Sequence, residues 1–353
     1  MKKKIAHIVE STATGTLSML RVLANSQALQ GHEVQIIYSK REETPENLFE
    51  MFDSSISLIH IPMNSVFNNF TALIQIRRKV IENNTEQVIL HSSFAGFIGR
   101  LSLLGLKCKC YFVPHCISFM RKDIGDAKRS LFILLEWVAS LKNCAYIACS
   151  KSEQEQISKA IPFRDCHLVE NALDVTQWDV GLNNQRLKQV VTVGQIRTQK
   201  NPKLLAEIAR KSKDIGYEFI WVGDGNDESA KQELVDAGVK VLGWKNQDEI
   251  KDILSQSEIY LSTASWEGLP VSPLEAMLCG CVAVLSNCSG NKDIIEHAQN
   301  GYLFDESDEA VSFLRALYSK DDTRILVSNS GREHVKNHYR LDRYTQEMQE
   351  LVG

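Results

Sequence analysis

The chain has 353 residues, 44% hydrophobic and 24% charged, which is enough apolar material for two ordinary domains and too much for a disordered chain. Its formal net charge of −4 hides an asymmetry, because residues 1–172 carry an excess of four basic groups and the remainder an excess of eight acidic ones. The acidic half holds no basic stripe of the kind that binds nucleic acid.

Met1-Lys2-Lys3-Lys4 has the look of a signal-peptide start. The apolar residues behind it, Ile5-Ala6 and Ile8-Val9, are broken by His7 and stopped by Glu10, so they read as a strand over Lys4–Val9. Further strands are predicted at Glu33–Tyr38, Ile56–Ile61, Gln87–His91, Lys109–Pro114, Ala145–Cys149 and Cys166–Glu170, each a short β-branched run. Helical periodicity falls between them at Thr16–Gln30, Phe70–Asn83 and Arg129–Lys142, with Gly31 as a helix C-cap. The rhythm then restarts, with strands at Gln189–Val193, Glu218–Val222, Val239–Leu242, Ile259–Leu261 and Val282–Leu285. The intervening helices are Pro202–Ile215, Asp227–Ala237, Gln247–Ser255 and Pro270–Leu278. Pro202 suits a first helical turn, where a donor is missing anyway.

Alternating strands and helices imply parallel α/β architecture. The expected division is 1–172 and 173–338, joined near Asn171–Gln189, where Gly181 and Asn183-Asn184 mark a polar linker. Ligands of open α/β sheets bind outside the carboxyl ends of strands, so a cleft between two such domains is the default site.

The longest apolar run, Leu131 to Leu141, contains Glu136 and cannot span a bilayer. The expectation is a cytoplasmic protein, at most peripheral at the inner face of the membrane. The stretch 107–142 holds Lys107, Lys109, Arg121, Lys122, Lys128, Arg129 and Lys142 against three acidic residues. It is either a patch for anionic lipid headgroups or an anionic acceptor, or a solvated loop and helix face. Nine cysteines are scattered, and the C-x-C pairs Cys108/Cys110 and Cys279/Cys281 lack the spacing of a zinc or redox site. They read as reduced, mostly buried thiols, and no metal is expected.

Four segments at strand ends carry chemistry. The strongest, Ser265 to Met277, places Glu267 before a Gly268-Leu269-Pro270 turn and Glu275 inside the helix that follows. Helix-start amides hold phosphate, and two carboxylates beside them can accept bonds from sugar or ribose hydroxyls. A single such carboxylate is commonly just a favourable helix charge, but the tryptophan, the Gly-x-Pro turn and both glutamates occur together. Gly194 to Pro202 sets Arg197 and Lys200 where an anion would sit, although two cations in a loop are more often merely solvated. Val222-Gly223-Asp224-Gly225-Asn226 is a bland turn unless the others agree, since no full G-x-G-x-x-G follows. Ser289 to Asp293 offers Asn291 and Lys292 to a sugar or phosphate. In the first half, Ser11 to Thr16 opens a helix whose amides could face a diphosphate or an acceptor. His91-Ser92-Ser93 and Pro114-His115 end strands; a lone histidine is usually structural, and His115 is the better candidate.

Taken together, these residues resemble the GT-B-fold, retaining glycosyltransferases of family GT4, especially the bacterial enzymes of capsule, O-antigen and exopolysaccharide assembly. The resemblance runs from His7-Ile8-Val9-Glu10 to Gly290–Gly301, and the Glu-x7-Glu pair is its most specific part. It implies two Rossmann-like α/β domains facing a central cleft, with a C-terminal helix near Asp342–Leu351 crossing back to the first domain. It implies that Glu267 holds donor-sugar hydroxyls near the reacting face and that Glu275 holds the ribose. Lys200 and Arg197 would neutralise the diphosphate, Leu242-Gly243-Trp244 would border the base, and His115 would touch the donor sugar. The donor-binding set is completed by Gly15, Thr16, Gly194, Gln195, Gly223, Gly268, Leu269, Pro270, Leu274 and Asn291, with Ser92 and Arg121 on the acceptor side. The implied partners are a nucleotide-sugar co-substrate, with uridine as the nucleotide, and a glycan or lipid-linked oligosaccharide acceptor, with no cofactor. Two positions depart from the family pattern. Gln195 stands where arginine is common, with Arg197 two residues later as its substitute, and Thr14-Gly15 stands where two glycines are common. Two other readings are a GT-B-fold UDP-sugar epimerase, which would change the sugar with no acceptor present, and a non-catalytic two-lobed ligand-binding protein.

Overall fold

The computed structural model describes residues 2–10, 12, 14–41, 44–63, 66–181 and 186–352; Met1, Ser11, Ala13 and the Asn183-Asn184 linker lie outside them. The chain forms two compact units, Met1–Asn171 with Asp342–Gly353, and Ala172–Leu341.

The first unit runs β1 (Lys4–Val9), α1 (Thr14–Leu29), β2 (Glu33–Tyr38), β3 (Ser57–His60), α2 (Val66–Glu82), β4 (Gln87–His91), α3 (Ser93–Ser102) and β5 (Lys109–Val113). It continues through α4 (Asp126–Ala139), β6 (Ala145–Ala148), α5 (Lys151–Ala160) and β7 (Cys166–Leu168). The seven strands pair in the order β3-β2-β1-β4-β5-β6-β7, all parallel. Helices cover both faces of such a sheet, so its strands bury almost every residue and read as unbroken apolar runs; Ile5, Ala6, Ile8, Val88, Ile89 and Leu90 are all buried. Gly31 at φ +85° ends α1, with its amide and that of His32 returned to Ala28 and Gln27, which is the left-handed cap expected of glycine there.

Helical periodicity did not single out α3, because Gly96 and Gly99 weaken it. Both glycines have a packing cause: a Cβ on Gly96 would stand 2.2 Å from the Phe112 ring, and one on Gly99 would stand 2.5 Å from Leu90. This close approach seats the buried Arg100, which donates to Glu136 Oε2 at 2.7 Å and to the Tyr146 hydroxyl at 2.6 Å. Tyr146 in turn donates to Glu136 at 2.9 Å, and the guanidinium lies 4.4 Å from the centre of the Phe112 ring. Glu136, the charge that interrupts the apolar run, therefore faces the core from α4.

The second unit runs α6 (Val175–Trp178), β8 (Leu187–Val193), α7 (Pro202–Lys211), β9 (Glu218–Val222), α8 (Glu228–Asp236), β10 (Lys240–Val241), α9 (Gln247–Gln256) and β11 (Ser257–Ser262). It ends with α10 (Val271–Leu278), β12 (Val282–Ser286), α11 (Asn291–Ile294), β13 (Tyr302–Phe304), α12 (Ser307–Ser319) and α13 (Asp321–His338). Its six parallel strands are ordered β10-β9-β8-β11-β12-β13. The order reverses between β8 and β11, the place where doubly wound sheets open a crevice at their carboxyl edge. The last helix, α14 (Leu341–Val352), buries Tyr344, Met348 and Val352. Arg343 at its start donates to the carbonyls of Glu170 and Asn171 at 2.8 and 3.1 Å, which ties it to the first unit.

Removing one member of a buried ion pair leaves an uncompensated charge and costs about 3–5 kcal/mol. Urea unfolding of Glu136→Ala is expected to show a loss of that size, and Arg100→Met/Glu136→Leu should recover much of it.

Candidate active site

At the carboxyl edge of the second sheet, three turns meet backbone to backbone. β8 ends in Gly194 at φ +150° and β9 in Gly223 at φ +132°. A Cβ on Gly223 would lie 2.1 Å from the Gly194 carbonyl, and one on Gly225 would lie 2.1 Å from the Ile196 carbonyl. Gly194 donates to Val222, Ile196 to Asp224 and Gly223 to Gly243, each at 2.9 Å. Trp221 adds an indole donor to the Gly194 carbonyl at 2.8 Å. Gly223 and Gly225 thus serve close packing of the turns, the blander of the readings open to that G-x-G.

Past Gly194 the chain makes a short 3-10 turn over Thr198–Lys200, and Asn201, at φ 49°, caps α7. Thr263, just after β11, donates to the carbonyls of Lys200 and Asn201 at 2.9 and 3.0 Å, stitching this turn to the Glu267 segment. The Lys200 ammonium stands 2.8 Å from Glu267 Oε1. Gln199, which the sequence reading passed over, donates to the Trp266 carbonyl at 2.9 Å and to Glu267 Oε2 at 3.0 Å. Glu267 is buried, and its amide is bonded to Ser289 at 2.9 Å. Gly290 is essential at this contact: at φ +86°, its Cβ would meet the Gly268 carbonyl at 2.6 Å and Glu267 Cβ at 2.7 Å. One carboxylate oxygen is therefore hydrogen-bonded by Gln199, while the other lies against the Lys200 ammonium as an ion pair with no hydrogen bond among the described residues.

α10 begins directly after Pro270, with no side-chain cap and no acidic residue in its first turn. Its first amides are free to meet an anion. Glu275, one turn in, is half-buried with no hydrogen-bond or ion-pair partner among the described residues, and burial pushes its carboxyl up to about 7. Tyr260 of β11 is buried in the field of both glutamates, and burial raises its hydroxyl further. Arg197 is exposed, as are Leu242 and Trp244 at the end of β10; Gly243 between them turns at φ +69°. Gln195 is half-buried.

Two of the expected contacts are fully buried. Asn291 is fully buried, and its amide donates to the Ser286 carbonyl and hydroxyl at 3.1 Å, bracing the end of β12, while its Oδ1 has no hydrogen-bond partner among the described residues. Leu274 is likewise fully buried and packs the inner face of α10. Leu269 and Pro270 are buried.

In the first unit, His115 and Cys116 take φ +54° and +93°, left-handed backbone that is costly without glycine. The buried Glu153 of α5 holds that turn: its Oε1 accepts from the Cys116 and Ile117 amides, and its Oε2 from Cys149, all at 2.8 Å. His115 is half-buried. Ser92, at φ 73°, opens α3 without capping it. Arg121 forms a two-bond fork with Asp123 at 2.9 and 2.6 Å. Gly15 is exposed and Thr16 half-buried in the first turn of α1.

The family model for glycosyl transferases group 1 matches residues 176–334, and that for glycosyltransferase family 4 matches residues 14–177. Among curated proteins, the chain is 24% identical to the UDP-Gal:alpha-D-GlcNAc-diphosphoundecaprenol alpha-1,3-galactosyltransferase of Escherichia coli over 99% of this chain and 96% of that one. It is 26% identical to an O-antigen biosynthesis glycosyltransferase of Escherichia coli over 72% and 73% of the two chains. Among solved structures, Anabaena HepE in complex with UDP and glucose superposes with a TM-score of 0.83 at 14% identity, covering 99% of both chains.

Because Glu275 keeps its proton in the folded state up to about 7, while the unfolded chain releases it near 4.5, the ligand-free protein should lose stability as pH rises through that window. Thermal unfolding from pH 4.5 to 7 should show this decline, and Glu275→Gln should flatten it.

Proposed function

With the two family models running together from residue 14 to residue 334, the chain belongs to the GT4-type glycosyltransferases of the GT-B fold, and we propose that it moves a hexose or N-acetylhexosamine from a UDP-sugar to a glycan or lipid-linked acceptor with retention of anomeric configuration. The observation that carries this reading is the Lys200–Glu267 pair, 2.8 Å apart, beside the uncapped start of α10. A sugar diphosphate has the matching chemistry: hydroxyls for a fixed carboxylate and an anion for a lysine and free amides.

In the reaction, the bond from the anomeric carbon to the diphosphate oxygen breaks and the acceptor hydroxyl bonds to that carbon, its proton passing to the departing diphosphate oxygen. Negative charge grows on the departing oxygen. Lys200, the exposed Arg197 and the first amides of α10 would stabilise it as preorganised donors. Glu267, fixed by Gln199 and Lys200, orients the sugar through its hydroxyls. Glu275 accepts from the ribose, and Leu242 and Trp244 offer apolar surface to the base. Lys200 and Arg197 would supply the positive charge that a metal otherwise brings, and the sequence has no Asp-x-Asp motif.

A lipid-linked acceptor, such as the one named for the Escherichia coli galactosyltransferase, would be met at the inner face of the membrane. Supporting this, α4 and the turn after it leave Leu131, Leu134, Trp137, Val138 and Leu141 exposed, with Phe163 beside Trp137. Lys107, Lys109 and Arg164 line an open cavity of about 400 Å³ at the foot of β5 and β6. Apolar residues rimmed by cations suit an anionic bilayer surface.

Glu267→Ala and Lys200→Ala should each abolish transfer in a radiolabelled donor assay while circular dichroism stays native; near-normal turnover in both would refute the site. Activity should persist in EDTA, and loss that magnesium restores would contradict the metal-free reading. Sedimentation with vesicles should show binding to anionic but not zwitterionic lipid, with Leu134→Ser/Trp137→Ser reducing bound protein roughly tenfold or more.

A further inference from the structure

Three histidines of the first unit form one hydrogen-bonded line from the core to the surface. Gln27 Oε1 is 2.7 Å from His7 Nε2, His7 Nδ1 is 3.0 Å from His91 Nε2, and His91 Nδ1 is 3.2 Å from His115 Nε2. The rings stack, with centroids 5.2 and 5.5 Å apart. His7 and His91 are fully buried and Gln27 nearly so, whereas His115 is half-buried. Burial holds His7 and His115 down to about 4 and His91 well below its ordinary value, so all three are neutral at physiological pH.

A neutral imidazole has one donor and one acceptor nitrogen, so the line can have only one direction at a time. The Gln27 carbonyl accepts, so His7 carries its proton on Nε2 and offers Nδ1 as an acceptor. His91 must then donate from Nε2 and accept at Nδ1. His115 must donate from Nε2, which leaves its Nδ1 a lone pair. We infer that Gln27, His7 and His91 are positioning residues that set the tautomer of His115, making its Nδ1 a hydrogen-bond acceptor for a sugar hydroxyl. Gln27 Nε2 is buried with no partner among the described residues, so the amide is not locked by anything but His7, and its orientation decides the direction of the whole line. The inference rests on the reading that His115 meets substrate; the relay itself is a property of the unliganded protein.

The test is a long-range proton–nitrogen NMR correlation on the full chain labelled with 15N-histidine, without ligand. It should show His7, His91 and His115 all protonated on Nε2 and neutral down to pH 5.5. Gln27→Leu and His91→Phe should turn His115 into a tautomer mixture and lower kcat/KM by roughly 3- to 10-fold, the worth of one neutral hydrogen bond. His91→Gln, whose amide keeps one donor and one acceptor, should restore both readouts, which a merely structural role would not require. A His115 protonated on Nδ1, or a tautomer indifferent to Gln27→Leu and His91→Phe, overturns the relay. Unchanged kinetics in His115→Ala with the tautomers as described would instead overturn the substrate contact on which it rests.

Discussion

The carboxyl edge of the second sheet depends on backbone packed against backbone where a side chain cannot fit. Gly194 and Gly223 bring two strand-end turns into contact and Gly290 packs against the Glu267–Gly268 turn, and a Cβ at Gly223 or Gly290 would fall within 2.1 or 2.6 Å of a carbonyl oxygen. Beside these contacts Thr263 holds the Lys200 turn, and one lysine and one glutamine meet a single carboxylate. The ion pair is a consequence of the sheet order: β8 and β11 are neighbours although Lys200 and Glu267 are far apart in sequence.

The two units divide the physical work. The second is acidic overall, and its chemistry is concentrated at one edge, where a few cations and amides stand out against that background. The first carries the basic excess together with an exposed apolar helix face, and a neutral histidine line runs through its core. An acidic domain with a local positive site favours an anionic ligand by geometry rather than by general attraction, because exposed charges beyond a Debye length are screened.

Most strands were legible because parallel sheets bury both faces and so concentrate β-branched residues; β1, β2, β4 and β9 match their predicted bounds. The Glu267/Glu275 segment was legible because its turn and helix are contiguous. What could not be read were contacts set by strand order. Gln199 looks like any loop amide until β8 is placed beside β11. The bracing of Ser286 by Asn291 is likewise invisible until the end of β12 is placed. His7 and Glu153 draw their roles from partners 84 and 37 positions away. α3 was obscured by glycines whose cause is Phe112 and Leu90 on other elements, and Glu136, read as a break in an apolar run, is the buried partner of Arg100.

The central claim is that the Lys200 turn and the Glu267–Glu275 segment together bind a sugar diphosphate. A crystal structure with an unhydrolysed UDP-sugar tests it most directly. The account predicts diphosphate oxygens within hydrogen-bonding distance of Lys200 Nζ and the α10 amides, and ribose hydroxyls on Glu275. A nucleotide bound away from these groups, with the Lys200–Glu267 pair untouched, would contradict it.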